Sequence, residues 1–60
     1  MMGKFRVVEY NEDSFKTKSV SEVYERYHEA SRKWDELMNE RPKAEYGIQA
    51  EIDGDWYALA

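Results

Sequence analysis

The sequence predicts a small α+β domain, in which one long amphipathic helix packs across one face of an antiparallel sheet of three to four strands. Three observations predict this fold: an apolar stripe between Val20 and Met38, an alternating segment at 45–52, and an Asp-Gly pair directly after that segment. The expected element order is β(β)αββ, in a single domain that spans residues 1–60.

The N-terminal segment at residues 4–10 is rich in β-branched and aromatic residues, and it predicts the first strand. Residues 11–14 read Asn-Glu-Asp-Ser, which indicates a turn because these side chains bond readily to nearby backbone. The segment from Phe15 to Lys18 then alternates apolar and polar residues. We expect it to return as a short second strand; a single strand followed by a loop is the alternative.

The helix is expected to run from Val20 to about Glu40. Ser19 and Glu22 have the spacing of a capping box, in which each side chain bonds to the backbone N–H of the other residue. Pro42 ends the helix, because the residue before a proline is disfavoured in the helical region.

One face of the predicted helix is a broad apolar stripe. Its members recur at steps of three and four: Val20, Val23, Tyr24, Tyr27, Ala30, Ser31, Trp34, Leu37 and Met38. Such a stripe must be buried against another element, and the sheet is the expected one. A stripe this broad exceeds what a small sheet covers, so the excess could pair with the same helix of a second copy.

The third strand, at 45–52, alternates most regularly. One of its faces carries Tyr46, Ile48, Ala50 and Ile52. Asp53-Gly54 predicts a hairpin, since both residues tolerate the positive φ of a type I′ turn, and residues 55–60 then form the last strand.

The length of the hairpin loop decides which side chains of the last strand face the core. With an even loop, which we favour, Tyr57 and Leu59 join the core face, and Trp56 points away from the helix near Glu51. A three-residue loop would reverse this parity.

Composition excludes several classes of function. The chain has 60 residues, no Cys, one His and a formal net charge of −4. The negative balance argues against nucleic acid and anionic membranes as general partners, and no apolar run approaches the ~20 residues of a membrane span. We expect a folded cytoplasmic protein, in the host cytoplasm if it is viral, with no cofactor and no small-molecule substrate.

No residue pattern predicts catalysis or metal binding. His28 lies on the flank of the predicted helix, where a surface ion pair is the expected role. Glu51, Asp53 and Asp55 crowd the second hairpin, but a calcium loop needs about five ligands and a closing Glu further along the chain. Turn chemistry explains both aspartates, so we expect neither an enzyme nor a metal site.

Aromatic residues make up 15% of the chain, which is a high load for so small a core. Some of these rings are therefore expected at an interface, where Tyr and Trp are favoured. The expected function is a small acidic protein-interaction module, of the kind that phages use as inhibitors occupying a site on a larger host protein, with DNA mimicry as the lesser variant. The predicted partner-binding residues are Trp56, Tyr46, Tyr57, Tyr10, Glu51, Asp53 and Asp55.

Two alternatives stay open. The first is a nucleic-acid-binding module that uses the basic N-terminal sheet face. That face would interleave basic with aromatic residues: Lys4, Arg6, Lys16 and Lys18 with Phe5, Tyr10 and Phe15. The second alternative is a self-associating structural subunit, whose partner is another copy of the chain.

Overall fold

A computed structural model describes residues 2–11 and 16–59, and its elements follow the predicted order. They are β1 (Met2–Asn11), β2 (Lys16–Ser19), α1 (Tyr27–Glu40), β3 (Tyr46–Ile52) and β4 (Asp55–Ala58). The strands form one antiparallel sheet in the order β2-β1-β3-β4. The predicted α+β fold is thereby confirmed. Most of the turn expected at 11–14, and Phe15, lie outside the described residues.

The core forms where α1 covers the central strands of the sheet. Phe5 pairs with Ala50 and Val7 pairs with Ile48, and side chains on a strand alternate between faces, so these residues share one face. We call it the helix-side face, and the opposite one the outer face. The buried cluster on the helix-side face consists of Phe5, Val7, Ala30, Tyr46, Ile48 and Ala50.

The helix begins at Tyr27, whereas the sequence predicted a start at Val20, seven positions earlier. The predicted capping box is wrong: Ser19 ends β2, and the residue at the helix N-cap is Arg26, which makes no capping bond through its side chain. Tyr27 remains 47% exposed and touches Phe5 edge-on, with ring centroids 5.8 Å apart.

The segment before the helix continues along the edge of β1. Val20 donates its backbone N–H to the Val7 carbonyl at 3.1 Å, and Tyr24 exchanges two backbone hydrogen bonds of 2.7 Å with Phe5. The Ser21 hydroxyl accepts from the Val7 N–H at 2.9 Å. β2 pairs only with the Val8–Asn11 part of β1, so the backbone groups of Phe5 and Val7 on that side would otherwise lack partners. The segment before the helix satisfies them in extended form, and the helix starts after it.

The C-terminal half of the helix matches the prediction and is fixed to β3. The Trp34 Nε1–H donates to the Tyr46 carbonyl at 3.0 Å. Leu37 and Met38 pack on the buried cluster. The Arg41 N–H bonds to the Leu37 carbonyl at 2.9 Å and closes the last turn just before Pro42.

The second hairpin has the even loop that the sequence favoured. Ile52 pairs with Asp55 across Asp53-Gly54, whose φ angles are 53° and 90° as a type I′ turn requires. Tyr57 lies on the helix-side face opposite Ala50, yet it is 51% exposed. The reason is that α1 lies over β1 and β3 and does not reach β4.

Candidate protein interface on the outer face of the sheet

The outer face brings together side chains from three neighbouring strands. Lys4 pairs with Glu51, and Arg6 pairs with Gln49, across β1 and β3. Glu51 in turn pairs with Trp56 of β4. Because paired residues point to the same side of a sheet, these five residues form one patch, which we call the outer patch.

Arg6 lies at the centre of the outer patch and joins the three strands. Its Nε–H donates to the Gln49 Oε1 at 2.9 Å. Its guanidinium carbon lies 4.0 Å from the centroid of the Trp56 ring, which is within cation–π range. Both Arg6 and Trp56 are half-buried, so their side chains are held in one arrangement while part of each still faces solvent.

The rim of the outer patch is acidic at the end near the second hairpin. The carboxylate of Glu51 folds against Gly3, so closely that a Cβ at that position would collide with it. The strand register shifts between Met2 and Lys4, which leaves Gly3 as the extra residue and makes room for this side chain. Asp53 and Asp55 continue the negative charge around the turn, and both are exposed.

The structure divides the predicted partner-binding residues. Trp56 and Glu51 lie side by side on the outer face, as the even loop predicted. Tyr10 shares that face but pairs with Thr17 at the other end of β1. Tyr57 is on the helix-side face.

Tyr46, a predicted partner-binding aromatic, lies in the core of the protein and not on its surface. Its side chain is only 7% exposed and belongs to the buried cluster under α1. The alternation of residues 45–52 places Tyr46 on the core face, together with Ile48, Ala50 and Ile52.

Sequence reasoning missed the roles of Arg6 and Gln49. Sequence patterns place Arg6 only among the basic residues of the N-terminal sheet face, and they assign no role to Gln49. Their contact depends on how β1 pairs with β3, which is a long-range register that no local pattern reveals. The one available signal was parity: Arg6 lies between Phe5 and Val7, so it must point away from the core.

The basic N-terminal residues do not share a face. Lys4 and Arg6 are on the outer face, whereas Lys18 pairs with Glu9 and therefore lies on the helix-side face. Phe5 is 4% exposed, which leaves its ring buried and unable to stack on a base. The interleaved platform that the nucleic-acid alternative requires is not assembled by the described residues.

An open groove of about 840 Å³ lies beside the C-terminal end of β1 and the loop after α1. Its lining mixes both signs of charge: Glu9, Lys18, Arg41, Lys43 and Glu45, with Tyr10, Asn11, Pro42 and Ala44. Nowhere in 2–11 or 16–59 do three His, Asp or Glu side chains cluster so that they could hold a metal ion. Among the described residues that line the groove, the carboxylates are Glu9 and Glu45.

No helix in the described part of the chain is long and apolar enough to cross a membrane. A scan against protein-family models found no match, and searches of curated proteins and of solved structures found none either.

Proposed function

We propose that this protein is a small protein-binding module that docks the outer patch of its sheet onto a larger protein, with Trp56 and Arg6 as the central contacts. The observation that carries the proposal is the stacked Arg6–Trp56 pair. The guanidinium carbon of Arg6 lies 4.0 Å from the centroid of the Trp56 ring. Trp and Arg are the residue types in which interface energy most often concentrates.

The arrangement of this pair favours binding. Ordering a long, free side chain at an interface costs about 0.5–1.5 kcal/mol. Arg6 is already held by Gln49 and by the Trp56 ring in the free protein, so much of that cost is met before the partner arrives. A pre-ordered pair on an open sheet face is suited to contact with a protein surface.

The charge around the pair defines the partner's chemistry. Glu51 lies next to Trp56, and Asp53 and Asp55 follow at the turn. A complementary partner presents an apolar pocket for the indole ring with Lys or Arg at its rim. Where that pocket is a functional site, its occupation inhibits the larger protein, which is the mode of action of phage-type inhibitors.

A nucleic-acid partner is less well supported. One face of the Trp56 ring is covered by the Arg6 guanidinium, so that face is not available for a base. DNA mimicry is also poorly supported, because Lys4 and Arg6 lie within the same patch as Glu51. A mimic of the phosphate backbone needs rows of carboxylates without interspersed cations.

The proposal is tested by affinity capture from the lysate of the protein's natural cellular environment, followed by mass spectrometry. Trp56→Ala and Arg6→Ala should each weaken retention of the captured protein by about 30-fold or more, as expected for hot-spot residues. Tyr27→Ala is the matched control, because Tyr27 is an aromatic residue that is 47% exposed at the first position of α1 and does not belong to the outer patch.

Equal retention by wild type, Trp56→Ala and Arg6→Ala would refute the outer patch as the binding surface. A second arm treats the captured material with nuclease and raises the salt concentration. Loss of all bound material in that arm would favour a phosphate-based partner, since phosphate binding weakens steeply with salt.

A further inference from the structure

The two edges of the sheet differ in how they are protected from another strand. β2 and β4 are the edge strands. β2 carries exposed Lys16 and Lys18, which are typical of edges that avoid pairing. β4 reads Asp-Trp-Tyr-Ala and has no Lys, Pro or register shift, and its single charge, Asp55, is at the turn.

The ladder between β3 and β4 shows which backbone groups face outward from β4. The Leu59 N–H bonds to the Ile48 carbonyl at 2.8 Å. Bonding alternates along an antiparallel strand, so Tyr57 and Asp55 also bond toward β3. The N–H and C=O groups of Trp56 and Ala58 therefore point to the open edge.

Exposed apolar side chains lie next to this edge, on the helix-side face of the sheet. Tyr57 is 51% exposed, Leu59 is 48% exposed and Ile52 is 37% exposed. They remain open because α1 does not extend over β4. An edge that combines outward backbone groups with uncovered apolar side chains fits an added strand, since the strand would satisfy both.

We propose that the strand added to β4 is β4 of a second copy of this chain, paired antiparallel about a two-fold axis at Tyr57. In this register Trp56 lies opposite Ala58 of the second copy, and Tyr57 lies opposite its own counterpart. The outward groups of Trp56 and Ala58 in both copies then form four backbone hydrogen bonds.

Side-chain size and charge both support self-pairing in this register. The large Trp56 ring lies beside the small Ala58 of the second copy on the outer face. The two Tyr57 rings meet at a non-hydrogen-bonded pair, where cross-strand side chains approach most closely.

Asp55 is brought opposite Leu59 of the second copy, so the two Asp55 residues are four positions apart along the paired strands. At about 3.4 Å per residue this is about 14 Å, beyond the Debye length of ~8 Å at physiological salt. Salt therefore largely screens the repulsion between the two Asp55 carboxylates.

Pairing through β4 joins the two sheets into one continuous sheet. The two outer patches then lie on the same surface on either side of the two-fold axis. A dimer of this kind would present the Arg6–Trp56 pair twice to a partner, although the dimer itself does not depend on the proposed function.

The register is tested by disulfide trapping, because the chain has no native Cys. Under mild oxidation Tyr57→Cys should form a covalent dimer at least tenfold faster than Val23→Cys. Val23 is the matched control since it is also exposed, at 48%, but lies in the segment beside β1. Equal rates for the two variants would overturn the two-fold axis at Tyr57.

Charged substitutions of Tyr57 give a second test. Sedimentation equilibrium measures the mass in solution at protein concentrations from about 10 µM to about 1 mM, because self-association increases with concentration. Wild type should approach twice the monomer mass of 7.2 kDa. Tyr57→Lys alone and Tyr57→Glu alone should stay monomeric, and their mixture should dimerise.

A wild-type protein that stays monomeric over the whole range contradicts the proposal and leaves the edge to a strand of a different protein. If wild type dimerises but the mixture of Tyr57→Lys and Tyr57→Glu stays monomeric, the dimer interface does not lie at Tyr57. Neither outcome depends on whether a larger protein binds the outer patch.

Discussion

The Arg6 guanidinium lies against the ring of Trp56, 4.0 Å from its centroid, although the two residues come from the first and last strands of the chain. The sheet order makes this possible, because β3 separates β1 from β4 and Gln49 on β3 holds the guanidinium midway. The contact ties three strands together on the face that α1 does not cover.

We expect the Arg6–Trp56 contact to stabilise the fold modestly. A double-mutant cycle of Arg6→Ala and Trp56→Ala should give a coupling free energy of about 0.5–1 kcal/mol, which is typical of a partly exposed cation–π pair. Trp56→Ala alone should remain folded, since the ring packs outside the core cluster. Urea denaturation measures the coupling, and a value of zero would mean that the stacked geometry does not persist in solution.

Local patterns predicted the second half of this fold because its determinants are local. The alternation of β3 and the Asp53-Gly54 turn fix the hairpin parity, and hence the side on which Trp56 lies. The contact with Arg6 was not predictable, because it needs the register between β1 and β3. The start of the helix was misplaced for a related reason.

Val20 and Tyr24 illustrate why the helix boundary was misread. Their spacing suits the apolar face of a helix, and both residues do pack on the core. The same residue types are favoured in strands, and a spacing of four is also compatible with one face of a strand. The competing partner, the edge of β1, is a tertiary feature that the local sequence does not show.

Burial separates two isoleucines of the same strand. Ile48 is 2% exposed and sits at the centre of the core, whereas Ile52 is 37% exposed at the end of β3. We expect Ile48→Ala to destabilise the fold by about 2–5 kcal/mol, as do other large-to-small core changes. On a domain this small the loss can abolish folding. Ile52→Ala is the internal control, and its melting temperature should fall much less; similar losses for the two would contradict the placement of α1.

Trp34 fixes α1 to β3 through both its ring and its Nε1–H bond of 3.0 Å to the Tyr46 carbonyl. Trp34→Ala should cost about 3 kcal/mol, at the lower end for a large ring because the side chain is half-buried. Trp34→Phe keeps most of the packing but removes the donor, so its cost should be about 1–2 kcal/mol. Thermal unfolding followed by circular dichroism ranks the two variants, and a near-native Trp34→Ala protein would refute this contact.

The turn between β3 and β4 depends on the backbone of Gly54, whose φ is 90°. A Cβ at this position meets no atom within 4 Å, so the cost of Gly54→Ala is conformational rather than steric crowding by neighbours. We expect a loss of about 1–2 kcal/mol, the cost of left-handed backbone for an L-residue. Asp53→Asn should change stability by less than about 0.5 kcal/mol, because Asn-Gly is equally suited to this turn.

Ser21 and Ser19 distinguish the observed segment from the predicted helix start. The Ser21 hydroxyl accepts a hydrogen bond of 2.9 Å from the N–H of Val7, a fully buried residue. Ser21→Ala leaves that N–H without its partner and should cost about 1–3 kcal/mol. Ser19 is exposed and its hydroxyl donates a longer bond of 3.3 Å to the Ser21 carbonyl, so Ser19→Ala should cost less than about 0.5 kcal/mol.

A helix capped by Ser19 would reverse this order, because loss of a cap costs about 1 kcal/mol and Ser21 would then be an ordinary first-turn residue. Chemical denaturation of the two variants side by side therefore decides between an extended segment along β1 and a longer helix.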